Sequence, residues 1–129
     1  MNGYARVQNA YTEASVLTAP PERLVVMLYD GAIRFLNQGA VSMRADNRAH
    51  ARDRVRRAEA IIDELNITLD MKKGGDVAPR LRSIYLFCKR HLSQSIIDMN
   101  PDAVEEVAGL LSELRESWNA LVERAVPAA

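Results

Sequence analysis

The sequence predicts an all-α fold: an antiparallel up-and-down four-helix bundle with a short N-terminal helical arm. Three observations predict it. Every long stretch between proline, glycine and Asx breakpoints carries apolar residues at helical spacing, and none alternates as a strand would. The stretches run about 20 to 25 residues with short connections, which makes successive helices antiparallel neighbours. Finally, 129 residues that are 48% hydrophobic and 26% charged can bury one core without staples, while six Gly and five Pro are too few for a many-turned β-sandwich. The expected organisation is a single domain over 1–129, with a mobile arm at 1–19 and the bundle at 21–124.

The arm is polar and rich in small residues, but Tyr4, Val7 and Tyr11 recur at i, i+3 and i+7 and share one face of a short helix. A helix of under about 15 residues is marginal alone, so this one is expected to order only on docking. Pro20-Pro21 stops any helix before it and opens the first bundle helix, to about Ala45. Asp46-Asn47 supplies a turn and a cap for the second, about Arg48 to Leu69, whose stripe is Ala51, Val55, Ala58, Ile62, Leu65 and Leu69. Lys72-Lys73-Gly74-Gly75 is the clearest loop, with Asp76 as the expected cap of the third helix. That helix, ending near Met99, carries Val77, Leu81, Ile84, Cys88, Leu92 and Met99. Asn100-Pro101 caps and opens the fourth, to about Arg124, with the stripe Val104, Val107, Leu111, Leu114, Trp118 and Leu121.

The first bundle helix is too apolar for one buried face. From Leu24 to Leu36 only Asp30 and Arg34 are charged, and they share one narrow strip. The uncharged arc covers roughly 260°, well beyond the arc of about 100° that faces a core. Leu24, Leu28 and Phe35 are assigned to the core, leaving Val26, Tyr29 and Ile33 on an outer face. Leu86, Phe87 and Ile97 likewise point away from the stripe of the third helix. Either the first helix is packed on two sides, partly by the arm, or the surplus receives another chain. In the second case these six residues are the expected binding groove, with Tyr4, Val7 and Tyr11 of the arm lying over it.

Little in the chain supports catalysis or a cofactor. Cys88 is the only cysteine, which excludes an intrachain disulfide and a cysteine-based zinc site. Cys88 and His91 are i,i+3, but a nucleophile needs an oriented base and an oxyanion hole, and a metal needs three or four ligands. Neither His50 nor His91 has the glutamate three residues before it that di-iron bundles use. Gly74-Gly75 lacks the tail of a phosphate loop, and the sequon Asn66-Ile67-Thr68 falls inside a helix. Arg44, Arg48, Arg52, Arg54, Arg56 and Arg57 spread around their helix among Asp46, Asp53 and Glu59, where a nucleic-acid surface would be one-sided. The 17 basic and 17 acidic residues balance. The longest apolar run, Leu24 to Tyr29, is six residues against roughly 20 for a membrane span, and no signal-peptide core follows Met1. The expectation is a soluble protein of a reducing compartment, without enzymatic activity, metal or cofactor, and without nucleic-acid or membrane partners.

The chain resembles the flagellar secretion chaperones that escort flagellin. The likeness starts with Thr18-Ala19-Pro20-Pro21-Glu22-Arg23-Leu24 and the following Leu28-Tyr29-Asp30-Gly31, which look like the family's opening and first long helix. Ala10-Tyr11, Ile61-Ile62-Asp63-Glu64-Leu65, Leu69-Asp70 and Lys73-Gly74-Gly75 are similar to the arm, a later helix and its loop. Asn100, Glu105-Glu106-Val107, Leu110-Leu111, Leu114-Arg115 and Trp118 match the last helix, in register from Tyr4 to Leu121. Two positions depart: Pro20 replaces the usual serine, removing a side-chain cap, and Lys72 stands where a glutamate is frequent. The resemblance implies a cytosolic, non-enzymatic bundle of bacterial flagellum biogenesis. Such a protein binds the C-terminal segment of flagellin, prevents premature polymerisation and delivers its client to a component of the flagellar export gate. The alternative is a structural or regulatory bundle that pairs with a second copy of itself, as a homodimer, through the same apolar stripe.

Overall fold

A computed structural model of the chain describes residues 21–69 and 75–125, and the side chains of residues 23–69 and 75–119. The described residues form four helices, α1 (Pro21–Arg44), α2 (Arg48–Ile67), α3 (Val77–Asp98) and α4 (Pro101–Ala125), with no strand among them. The expected all-α bundle is thus what the chain forms, with boundaries within about two residues of the sequence breakpoints. The arm with Tyr4, Val7 and Tyr11, the uncapped Pro20, Lys72 and the Leu121 side chain lie outside the described residues.

The turns follow from local chemistry. After α1 the chain enters the left-handed region at Asp46, φ 56°, and the Asn47 N–H returns to the Ser42 carbonyl at 2.8 Å. Asn47 then caps α2 by accepting the His50 N–H at 3.2 Å. Met99 ends α3 in the same left-handed region, and the Asn100 N–H donates to the Ser95 carbonyl at 3.0 Å. Asn100 caps α4 through the Ala103 N–H at 3.2 Å, with Pro101 in the first turn. Asp76 departs from expectation: its backbone is already helical and its side chain accepts no capping bond.

Helices adjacent in the chain run antiparallel, and α4 closes the ring against α1. The pairs Arg115–Asp30 (2.7 Å) and Arg44–Asp102 (3.2 Å) fix the sense of α1 against α4. Lys89–Asp63 at 2.6 Å and the bond from Ser93 Oγ to Glu59 Oε1 at 3.4 Å do so for α2 and α3. The α1 helix packs closely on both α2 and α4, whereas α3 lies across the bundle from it and touches α2 and α4 more sparingly. Close approach of α1 to α2 depends on Gly39, where a Cβ would stand 2.9 Å from Val55 Cγ2. One continuous core draws Leu28, Leu36, Val55, Ile62, Leu92 and Leu111 from all four helices.

The core line of α1 runs through Leu28, Tyr29, Ala32, Leu36, Ala40 and Met43 rather than through Leu24 and Phe35. Phe35 is half-buried, with the guanidinium groups of Arg34, Arg54 and Arg57 at 5.9, 5.7 and 5.9 Å from its ring centre. At the head of α3, Val77 is 62% exposed, and the inward positions are Ala78, Leu81, Tyr85, Cys88, Leu92 and Ser95.

Candidate functional site

The outer-face assignment divides between the two helices. On α1, Val26 is only 4% exposed and Tyr29 is fully buried, while Ile33 is half-buried and packed against the core. These positions are therefore not an open groove. The physical reason is the place of α1 in the ring: with α2 on one flank and α4 on the other, packing consumes most of its wide apolar arc. Tyr29 is committed more firmly still, because its hydroxyl reaches that of Tyr85 across the bundle at 2.5 Å. Burial pushes both phenols above their ordinary range, so they remain protonated partners.

On α3 the expectation of exposure holds. Leu86 is 44% exposed, Phe87 42% and Ile97 70%, on a helix whose other side already supplies Leu81, Tyr85, Cys88 and Leu92 to the core. Leu86 and Ile97 line one shallow open depression with Lys89, Arg90, Ser93 and Gln94. Phe87 occupies the next strip, stacked on the His91 ring with centroids 5.2 Å apart. His91 Nε2 lies 3.1 Å from Glu106 Oε2 on α4, so the imidazole ties α3 to α4. Lys89 and Arg90 stand i+3 and i+4 from Leu86, a spacing that puts all three on one helix face.

The remaining polar groups have structural roles. Cys88 is fully buried, and desolvation pushes its thiol up to about 11, which suits packing rather than nucleophilic attack. His91 is engaged with Glu106 and gives Cys88 no thiol–imidazole pair. At the other histidine, Arg54 Nε donates to His50 Nε2 at 3.2 Å, which leaves Nδ1 to donate its proton to Ser42 Oγ at 2.5 Å. No group of three ligating side chains gathers among the described residues. The arginine-dense stretch is dispersed: Arg44 meets Asp102 and Glu105, Arg57 meets Asp53, and Arg56 meets the buried Glu59. No described helix is long and apolar enough to cross a membrane. What the geometry presents on α3 is an exposed surface of apolar side chains flanked by Lys89 and Arg90.

Comparison with known proteins identifies the company this bundle keeps. The family model described as flagellar protein FliS matches residues 3–125. The flagellar secretion chaperone FliS of Salmonella typhimurium is 32% identical over 126 residues, covering 97% of this chain and 91% of that protein. Its namesake from Campylobacter jejuni is 34% identical over 110 residues, 85% of this chain and 86% of that one. The Bacillus subtilis protein of the same name is 29% identical over 120 residues, 91% and 89% of the two chains.

Proposed function

The chain belongs to the FliS family of flagellar proteins, and from that premise we propose that it is a cytosolic export chaperone for flagellin. In this reading it binds the flagellin C-terminal region, prevents premature polymerisation and hands the client to the flagellar export gate. The observation that carries the reading is the exposure of Leu86, Phe87 and Ile97 on a helix whose inner face has already completed the core. A subunit that polymerises carries a segment whose apolar face is satisfied only in the polymer, and a carrier must cover that face until export. Burying a side chain of this size is worth roughly 1.5–3 kcal/mol, so three anchors supply about 4.5–9 kcal/mol, and contacts along the rest of the segment must offset the ordering costs for binding to reach about micromolar. Micromolar affinity suits a carrier that must release its load.

The work so described is stoichiometric binding rather than catalysis, in keeping with relatives that are named chaperones. The N-terminal segment carrying Tyr4, Val7 and Tyr11 is proposed to occupy the groove until the client displaces it, at positions outside the described residues. Seeded assembly of purified flagellin, followed by light scattering against increasing amounts of this chain, tests the function. Suppression should be complete near equimolar ratio. Unimpeded growth of filaments at severalfold excess contradicts the reading.

A further inference from the structure

The solvent side of α3 carries charge as well as apolar anchors. Its cations are Arg80, Arg82, Lys89 and Arg90, set against the single carboxylate of Asp98. The neighbouring α4 is the reverse, with Asp102, Glu105, Glu106, Glu113 and Glu116 against Arg115 among the described side chains. The neutral total of the whole chain conceals this division. Lys89 and Arg90 sit between Leu86 and Ile97 in one depression. Lys89 pairs with Asp63 at 2.6 Å and keeps further N–H donors, while Arg90 is exposed and meets no carboxylate among the described residues.

Resting on the chaperone reading above, we propose that the client segment received on this face is acidic and amphipathic. Its apolar residues seat on Leu86 and Ile97, and its carboxylates pair with Arg90 and Lys89 between them. Leu86 and Ile97 are separated by three helical turns, about 16 Å along the axis, which a three-turn amphipathic helix spans. Arginine suits the role, because its planar fork binds a carboxylate through two parallel hydrogen bonds.

Charge also argues against a second copy as the occupant. Two-fold pairing of α3 with α3 brings the central Arg90 of each copy against the cations of the other, and like charges at an interface are unfavourable. Pairing α3 with the acidic α4 of another copy is heterologous and, unless the rotation closes, builds open chains. An acidic client avoids both difficulties.

The test is a titration of a synthetic peptide of the flagellin C-terminal region into wild type, Arg90→Glu and Ile97→Asp, at low and high salt. Rim charges act chiefly on association rate and salt dependence, so Arg90→Glu should weaken binding about three- to tenfold at low salt. The difference should shrink at high salt, where the screening length falls to about 3 Å. A client carboxylate changed to lysine should restore binding to the Arg90→Glu variant. If Arg90→Glu binds like wild type while Ile97→Asp does not bind, the acidic client is overturned and the chaperone reading stands. If neither substitution matters, α3 is not the docking face and the inference falls with it. If wild type itself takes up no peptide, the function is wrong as well. Sedimentation showing a wild-type dimer dispersed by Ile97→Asp makes a second copy the occupant, which also overturns the proposal.

Discussion

Replacing Tyr29 by phenylalanine removes one hydroxyl from the centre of the bundle and strands another. Tyr29 and Tyr85 are essentially without exposed surface, and their oxygens are 2.5 Å apart. In the single variant the Tyr85 hydroxyl keeps its desolvation cost but loses its partner, a penalty of about 1–3 kcal/mol. For a domain of this size that corresponds to roughly 3–5 °C per kcal/mol in melting temperature. Tyr85→Phe should cost less, because the Tyr29 hydroxyl still accepts a hydrogen bond from the Trp118 indole N–H. The double variant replaces both partners and should regain most of the loss, ending within about 1 kcal/mol of wild type. Thermal unfolding followed by circular dichroism of the four proteins closes the cycle. Client affinity should be unchanged throughout, because Tyr29 faces Tyr85 and not a partner. Additive losses in the double variant would refute the buried pair. A Tyr29→Phe protein of normal stability that no longer binds flagellin would return Tyr29 to the client surface.

Three further outcomes follow from the same geometry. Gly39→Ala gains up to about 1 kcal/mol in helix propensity, yet its Cβ meets Val55 Cγ2 at 2.9 Å, and Gly39→Val should lower the urea midpoint clearly. A Gly39→Val protein as stable as wild type would refute the close crossing. Asn100→Ala removes the acceptor of the Ala103 N–H and should cost about 1 kcal/mol in denaturant titration. Cys88 has its folded-state thiol raised from 9.0 to about 11 by burial, so the folded state holds its proton where the unfolded state has lost it. Its contribution to stability is therefore complete below pH 9 and lost as pH rises towards about 11. Cys88→Ala should flatten the alkaline decline, and at pH 8 the native thiol should react with a disulfide reagent far more slowly than the unfolded one.

The helices were legible because their punctuation is local. Pro21, Asn47 and Asn100-Pro101 act within a turn of themselves, and periodicity placed Val55, Ile62, Leu92, Val107 and Leu111 correctly inside. The α1 helix was not legible in the same way. An apolar arc of roughly 260° states that much of a helix is buried but not which line is central. That choice rests on Tyr85, 56 positions away, which accepts or donates the hydrogen bond of Tyr29. Val77 misled for a related reason: it continues the stripe of α3 but stands at the helix head, beyond reach of the opposite core. On α3 the exposure of Leu86, Phe87 and Ile97 is legible in the sequence because a narrow inner stripe leaves no doubt about the outer face.

The central claim is that the exposed apolar residues of α3 hold the flagellin C-terminal region. The most direct measurement is a calorimetric titration of that region into wild type and into the double variant Leu86→Asp/Ile97→Asp. Thermal melts of both proteins are recorded beside it. With two anchors worth roughly 1.5–3 kcal/mol each removed, affinity should fall at least about a hundredfold. The melting temperature should hardly move, since both side chains face solvent. Wild-type affinity in a double variant that remains folded would contradict the account.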